Sequence, residues 1–430
     1  MKQILNILAV VLCLTNVQAQ SPSKVLLVNG TLHVGNGDVQ ESAVVAIIDG
    51  KISFVKNSLA YTIEPSEWDS IIELDGRHIY PGFVAPNSTL GITEIDAVRA
   101  TEDYDEVGIY NPHIRSQIAY NVESKVISTV RTNGVLITQP TPRGGTISGT
   151  SSVMKTYGWN WEDATIAAND GIHLNWPEST QGGHWWSESP QIERSEDYAE
   201  EKQAIYDFFA MARAYASTSS FNKTADKDLR LEHMRACFKG GKRVYIHAED
   251  VQQLVDIIEF VKEFDLKYPV IVGGYDSHLI TRKLADAKIP VMLGRLHSLP
   301  YNEADDVDLP YKLPALLMKG GVKFCLQNEG DMEAMNARNM PFLAGTAMAY
   351  GLTEEEAISS ISLWSCEIMG IDKLYGSIEK GKSATLFVSD GNALDMRSNN
   401  LFMALVDGEF MPLSNTQAEL FKKYTNKYVD

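Results

Sequence analysis

The chain has 430 residues, 44% of them hydrophobic and 22% charged, with a formal charge of −18 at pH 7. That length calls for a large core with a smaller companion, and the composition excludes a disordered, collagenous or membrane-spanning polymer. The acidity repels nucleic-acid phosphates and anionic bilayers, so neither is an expected partner.

In chain order, residues 1–19 stand apart as a cleavable signal peptide. Lys2 is a small positive segment, Ile4 to Leu14 is an apolar stretch too short for a comfortable membrane span, and Ala19 precedes the expected cut. Cys13 is not preceded by the small residues of a lipoprotein cleavage box. A secreted or periplasmic location is expected, with no membrane insertion after cleavage. The remaining chain carries 37 − 56 = −19 charges and keeps Cys237, Cys325 and Cys366. An odd number at wide spacings predicts buried free thiols rather than a disulfide framework.

Residues 20–79 alternate in short runs. "VLLVNGTLHVGNGD" and "SAVVAIIDGKISFV" read as hairpin-linked strands, with Asn29-Gly30, Asn36-Gly37 and Asp49-Gly50 as turn residues that tolerate positive φ. From Gly134 the rhythm changes to strand-like runs followed by helical periodicity: "KRVYIHAED" leads into "VQQLVDIIEFVKEF", "YPVIVGGYDSH" into "LITRKLADAKI", and "PVMLGRL" into "YKLPALLMKGG". Repeated strand-helix units imply parallel strands, and enough of them are present to close a (β/α)₈ barrel of about 250 residues. An open doubly wound sheet is the weaker alternative, because no Gly-x-Gly-x-x-Gly follows an early strand. After Gly370 the pattern is β again. The expected architecture is α/β: a TIM-like barrel over residues 80–370, a small β-sandwich built from 20–79 and 371–414, and a terminal helix over 415–430.

Several stretches resemble the amidohydrolase superfamily, particularly its imidazolonepropionase-like branch. "VNGTLHVGNGD", "IDGKISFV" and "LDGRHIYPGFV" are similar to that family's entry into the barrel, and "MGIDKLYGSIEKGKSATLFVSDGNAL" to its exit; "YIHAED" and "ARNMPFLAG" add to the likeness. The resemblance implies a hydrolase with one or two divalent metals at the barrel mouth. The ligands would be a His-x-His on the first strand, a carboxylated Lys or Glu on the fourth, histidines on the fifth and sixth, and an aspartate base on the eighth. Such a metal would lower the pKa of its water and polarise the carbonyl under attack.

Carried over position by position, that set is depleted. Asn87 and Thr89 stand at the first-strand pair, where an amide and a hydroxyl are weak zinc ligands. His247 matches the fifth strand; Gly274 or Tyr275 falls where the sixth-strand histidine belongs, and no fourth-strand lysine can be placed. Asn328, Glu329 and Asp331 all compete for the eighth-strand role, with Asp331 first and Glu329 next as catalytic carboxylates. His297, after the seventh strand, is a replacement ligand. The resemblance thus leaves at most one divalent metal, zinc or similar, held by His247, His297 and Asp331.

Asn87, Thr89, Arg143 and the loop tryptophans Trp185 and Trp186 are the candidate substrate contacts. Arg143 lies in the glycine-rich "PTPRGGTISGTSS", where a guanidinium can meet a substrate carboxylate. The function implied is hydrolysis of a carbon–nitrogen bond in a non-peptide amide, with a small molecule as partner and oligomerisation open. The alternative is a non-catalytic barrel that binds a ligand or partner in its mouth. A metal-independent hydrolase is a third reading, although no nucleophile-base pair is visible near Ser88 or the cysteines.

Overall fold

A computed structural model describes residues 23–182, 192–217, 227–302 and 304–428. The expected signal peptide lies outside them, as do Trp185 and Trp186. The small β-unit takes the form of one eight-stranded sheet that draws on both chain ends. Its order runs from Glu409–Phe410 through Leu401–Val406, Leu386–Ser389, His78–Pro81, Lys24–His33 and Val39–Ile48 to Lys51–Asn57. Ser70–Glu73 pairs parallel with the first half of Lys24–His33, so the sheet forks there. The two ends meet where Leu386 faces Pro81 and Ser389 faces His78. Alternation places Val25 and Leu27 in one apolar cluster and Leu26 and Val28 in another, which is how the sheet buries both faces.

The second eight-stranded sheet curls into a TIM-like barrel. Its strands are Phe83–Ser88, Val135–Pro140, Ile147–Lys155, Thr165–Asn175, Arg243–Ala248, Pro269–Gly273, Val291–Leu293 and Phe324–Leu326, called first to eighth below. Side chains fill its interior: Val84, Ile137, Val153, Tyr245, Val270, Val272, Met292 and Cys325, two from the sixth strand and one from each other strand but the fourth, pack in one buried cluster with Ile368 and Met369. Each is worth about 1.5–3 kcal/mol of burial, so the interior is a packed core and not a pore. Cys237, Cys325 and Cys366 are buried and unpaired.

Two departures from the all-parallel expectation matter for the site. First, the third strand runs antiparallel to both neighbours. The stretch expected as a glycine-rich mouth loop splits: Gly144 (φ 81°) and Gly145 (φ 64°) reverse the chain, and "ISGTSSVMK" becomes strand. Second, no backbone ladder joins the eighth strand to the first. Side chains close that seam instead, beginning with Asn87 Nδ2, which donates to Gln327 Oε1 at 2.8 Å.

Helices Val251–Phe264, Thr281–Ala287 and Leu309–Lys319 follow the fifth, sixth and seventh strands. Asp250 caps the first of these with a full capping box to Gln253, which fixes the turn just after the fifth strand. The sheet is tied to the barrel by Lys155 Nζ on Asp407 Oδ2 at 2.9 Å and by Ser359 Oγ on the carbonyl of Gly35 at 2.8 Å. The expected terminal helix spans Thr416–Thr425, with Asn415 as its cap. No helix among the described residues is long and apolar enough to cross a membrane.

Candidate functional site

The carboxyl ends of the parallel strands bring a polar cluster together. On the fifth strand the alternation that sends His247 toward the mouth repeats at Glu249, two residues on. His247 Nε2 meets His173 Nδ1 of the fourth strand at 2.9 Å. Burial and the nearby Arg143 charge hold His247 down to about 3, and burial with His247 and Arg143 holds His173 well below its usual range. Both imidazoles are therefore neutral at physiological pH. His173 Nε2, Gln327 Nε2, Asn328 Nδ2 and Arg295 Nε are buried without a hydrogen-bond partner.

Two carboxyl groups share a cavity of about 250 Å³ at this mouth. Glu249 and Glu329 line it together with Tyr275, Arg295, Leu299 and Tyr301. Glycines make the approach possible. A Cβ on Gly273, which ends the sixth strand with φ 95°, would overlap the Glu249 carboxylate, and one on Gly294 would stand 2.7 Å from Glu329 Oε1. The Tyr275 N–H donates to Glu249 Oε2 at 3.0 Å. Burial, then the Glu329 charge, pushes Glu249 well above the usual carboxylate range. Burial raises Glu329 as well, but Gln327 and the Arg143 and Arg295 charges pull against it. Like charges in one buried place do not both ionise readily. Glu329, beside two guanidiniums, loses its proton first.

The residues singled out from sequence fall in different places. Asn87 is buried at the seam with φ 47°, its N–H donating to Gln139 Oε1 at 3.0 Å; Thr89 is buried beside it. Arg143 does reach a carboxylate, but the chain's own: Nη2 donates to Glu333 Oε1 at 2.8 Å and to the Asn87 carbonyl at 2.9 Å, while Nη1 donates to Asn87 Oδ1 at 2.9 Å. Asp331 is exposed, and it is its carbonyl that accepts from Arg295, because Gly330 (φ 92°) turns the chain outward after Glu329. His297 is exposed, with Nε2 2.7 Å from Thr346 Oγ1. His247, His297 and Asp331 are not brought together. Among the described residues, no group of three His, Cys, Asp or Glu side chains is arranged to hold a metal ion. The donors at the mouth are two imidazoles hydrogen-bonded to each other near a guanidinium and two carboxyls on a cavity that neither imidazole lines, and a set so divided does not fit a divalent cation.

Sequence reasoning missed Glu249, His173 and Glu333. Glu249 carried a signal in the two-residue spacing from His247, and His173 stands in "GIHL" where a lysine was sought.

The solved amidohydrolase from Thermotoga maritima superposes with a TM-score of 0.77 at 23% identity, covering 90% of this chain and all of that one. The fold is the amidohydrolase fold. Sequence comparison agrees with it: the amidohydrolase tasK of Hapsidospora irregularis is 20% identical over 371 residues, 80% of this chain. Imidazolonepropionase of Flavobacterium johnsoniae is 30% identical over 84 residues, 19% of this chain. The chain spans 37% and 20%, respectively, of the lengths of these curated relatives. No family model matches it. The resemblance is thus to the amidohydrolase superfamily and its imidazolonepropionase-like branch.

Proposed function

We propose that this amidohydrolase-fold chain hydrolyses a carbon–nitrogen bond in a small non-peptide amide, with Glu329 as general base and Glu249 as general acid. The observation that carries the reading is the convergence of these two carboxyl groups, from beyond the eighth and fifth strands, on one cavity over Gly294 and Gly273. Glu329 takes a proton from water as the water oxygen adds to the carbonyl carbon. Glu249 gives its proton to the nitrogen as the C–N bond breaks. Acid and amine leave, and one proton passing from Glu329 to Glu249 through solvent restores the pair. Opposite protonation of two neighbouring carboxyls is what such a division of labour needs. Names borne by the relatives, amidohydrolase and imidazolonepropionase, support the bond class.

Secretion belongs to the same proposal, on the strength of Lys2, the apolar Ile4 to Leu14 and Ala19. The second reading, a binding barrel without turnover, is favoured by one observation: Arg143 already holds a carboxylate of its own chain.

The test is a panel of N-acyl amino acids, lactams and cyclic imides assayed for amine release or ring opening. Turnover that disappears in Glu329→Gln and drops sharply in Glu249→Gln is expected. Turnover that survives Glu329→Gln overturns the assignment, and a silent panel whose members still bind favours the second reading.

A further inference from the structure

Four oxygen contacts converge on the Arg143 guanidinium, and they come from both sides of the barrel seam. Asn87 supplies Oδ1 and its main-chain oxygen, each 2.9 Å from a guanidinium nitrogen, from the end of the first strand. Glu333, in the helix Glu333–Asn336 after the eighth strand, supplies both carboxylate oxygens at 2.8 and 3.0 Å. Glu333 is nearly buried and Arg143 one-quarter exposed. Oxygen ligands around a half-enclosed positive charge are what a hard divalent cation also requires. Here the fold brings its own cation on the hairpin turn between the second and third strands.

We infer that Arg143 is the resident cation of this mouth: its guanidinium fills an oxygen cage across the seam, supplies the fixed positive charge beside Glu329 and the two imidazoles, and keeps divalent metals out. Three features of the site agree. The same charge depresses His173 and His247 and opposes protonation of Glu329. A guanidinium cannot lose its proton in a protein, so the charge is permanent across the working pH range. Its planar fork spans Asn87 and Glu333 at once, joining the first strand to the helix after the eighth across a seam that no backbone ladder closes. The inference rests on the carboxylate-pair reading only in giving the charge a neighbour to act on.

The experiment reads metal and fold rather than turnover, so a failed substrate screen leaves it standing. The full chain, purified without chelator, is titrated with Mn²⁺ and Zn²⁺ by calorimetry and its metal content measured by elemental analysis, alongside Arg143→Ala and Arg143→Lys. The parent and Arg143→Lys should bind neither ion. Folded Arg143→Ala should gain about one Mn²⁺ through the vacated oxygens, and Arg143→Ala/Glu333→Gln should lose it again. If Arg143→Ala fails to fold, Arg143→Lys decides: stoichiometric metal in it or in the parent overturns the inference. So does a folded Arg143→Ala that binds no more metal than the parent.

Discussion

Replacing Glu249 by Gln should make the protein more stable at alkaline pH and leave it nearly unchanged at pH 4. The contacts of Glu249 with Gly273, of Gly273 Cα with the Gly294 Cβ position at 3.8 Å, and of that position with Glu329 Oε1 at 2.7 Å bound the carboxylate separation. At an upper limit of about 10 Å and an effective dielectric of about 20, two full charges repel by roughly 1.7 kcal/mol. The sign follows from linkage. Both carboxyls hold their protons more tightly folded than unfolded, so stability falls as pH rises above about 4.3, the ordinary glutamate value, toward the raised folded values. Glutamine keeps an acceptor for the Tyr275 N–H and removes one of the two charges. Urea unfolding followed by tryptophan fluorescence at pH 4 and pH 8.5 should show the variant gaining about 1–2 kcal/mol on the parent between the two conditions. Equal destabilisation at both pH values would refute the coupling of the two carboxyls and, with it, the acid-base assignment.

Gly294→Ala tests position without a left-handed backbone penalty. The added methyl pushes Glu329 by several tenths of an ångström, and turnover of any amide found in the panel should drop about 100-fold. Unchanged turnover would remove Glu329 from the chemistry. Asp407→Asn tests the joint between sheet and barrel. Burial raises the Asp407 carboxyl, but Ser383, Lys155 and Tyr375 outweigh it and set the folded value below the usual range. Its stabilisation is present above the unfolded value of about 3.9 and is lost as pH falls below it. The variant keeps a side chain that tolerates φ 50° and should be about 1–2 kcal/mol less stable at pH 7, with the gap closing toward pH 3. A gap independent of pH would contradict the ionic account.

The barrel was legible wherever apolar runs and helical periods alternate, as around "KRVYIHAED". The third strand was not. Its residues "ISGTSSVMK" are buried but mostly small and polar, and their hydroxyls are satisfied by distant main-chain carbonyls, Thr150 Oγ1 donating to that of Pro112 and Ser151 Oγ to that of Gly171. No two-residue apolar alternation remains to read. At the mouth, the weakness of Asn87 as a ligand was plain from its side chain. That Arg143 would fill the space depends on a hairpin turn meeting a helix 190 residues away. Glu329 and Asp331 are alike in sequence; the positive φ of Gly330 decides which faces the cavity, and that is a backbone fact.

The sheet shared by both chain ends sets an order on biogenesis. Lys24–His33 and His78–Pro81 are synthesised early, but the partner edge, Leu386–Ser389, emerges about 300 residues later, at roughly 5–20 residues per second. For much of a minute the nascent chain therefore carries an apolar strand edge that its own later residues alone can cover. The second-to-fourth-strand meander, by contrast, closes through short turns and can form as soon as Asn175 is free. The N-terminal hairpins of Lys24–Asn57 are equally local, so it is the pairing of Leu386–Ser389 with His78–Pro81 that waits for the end of the chain.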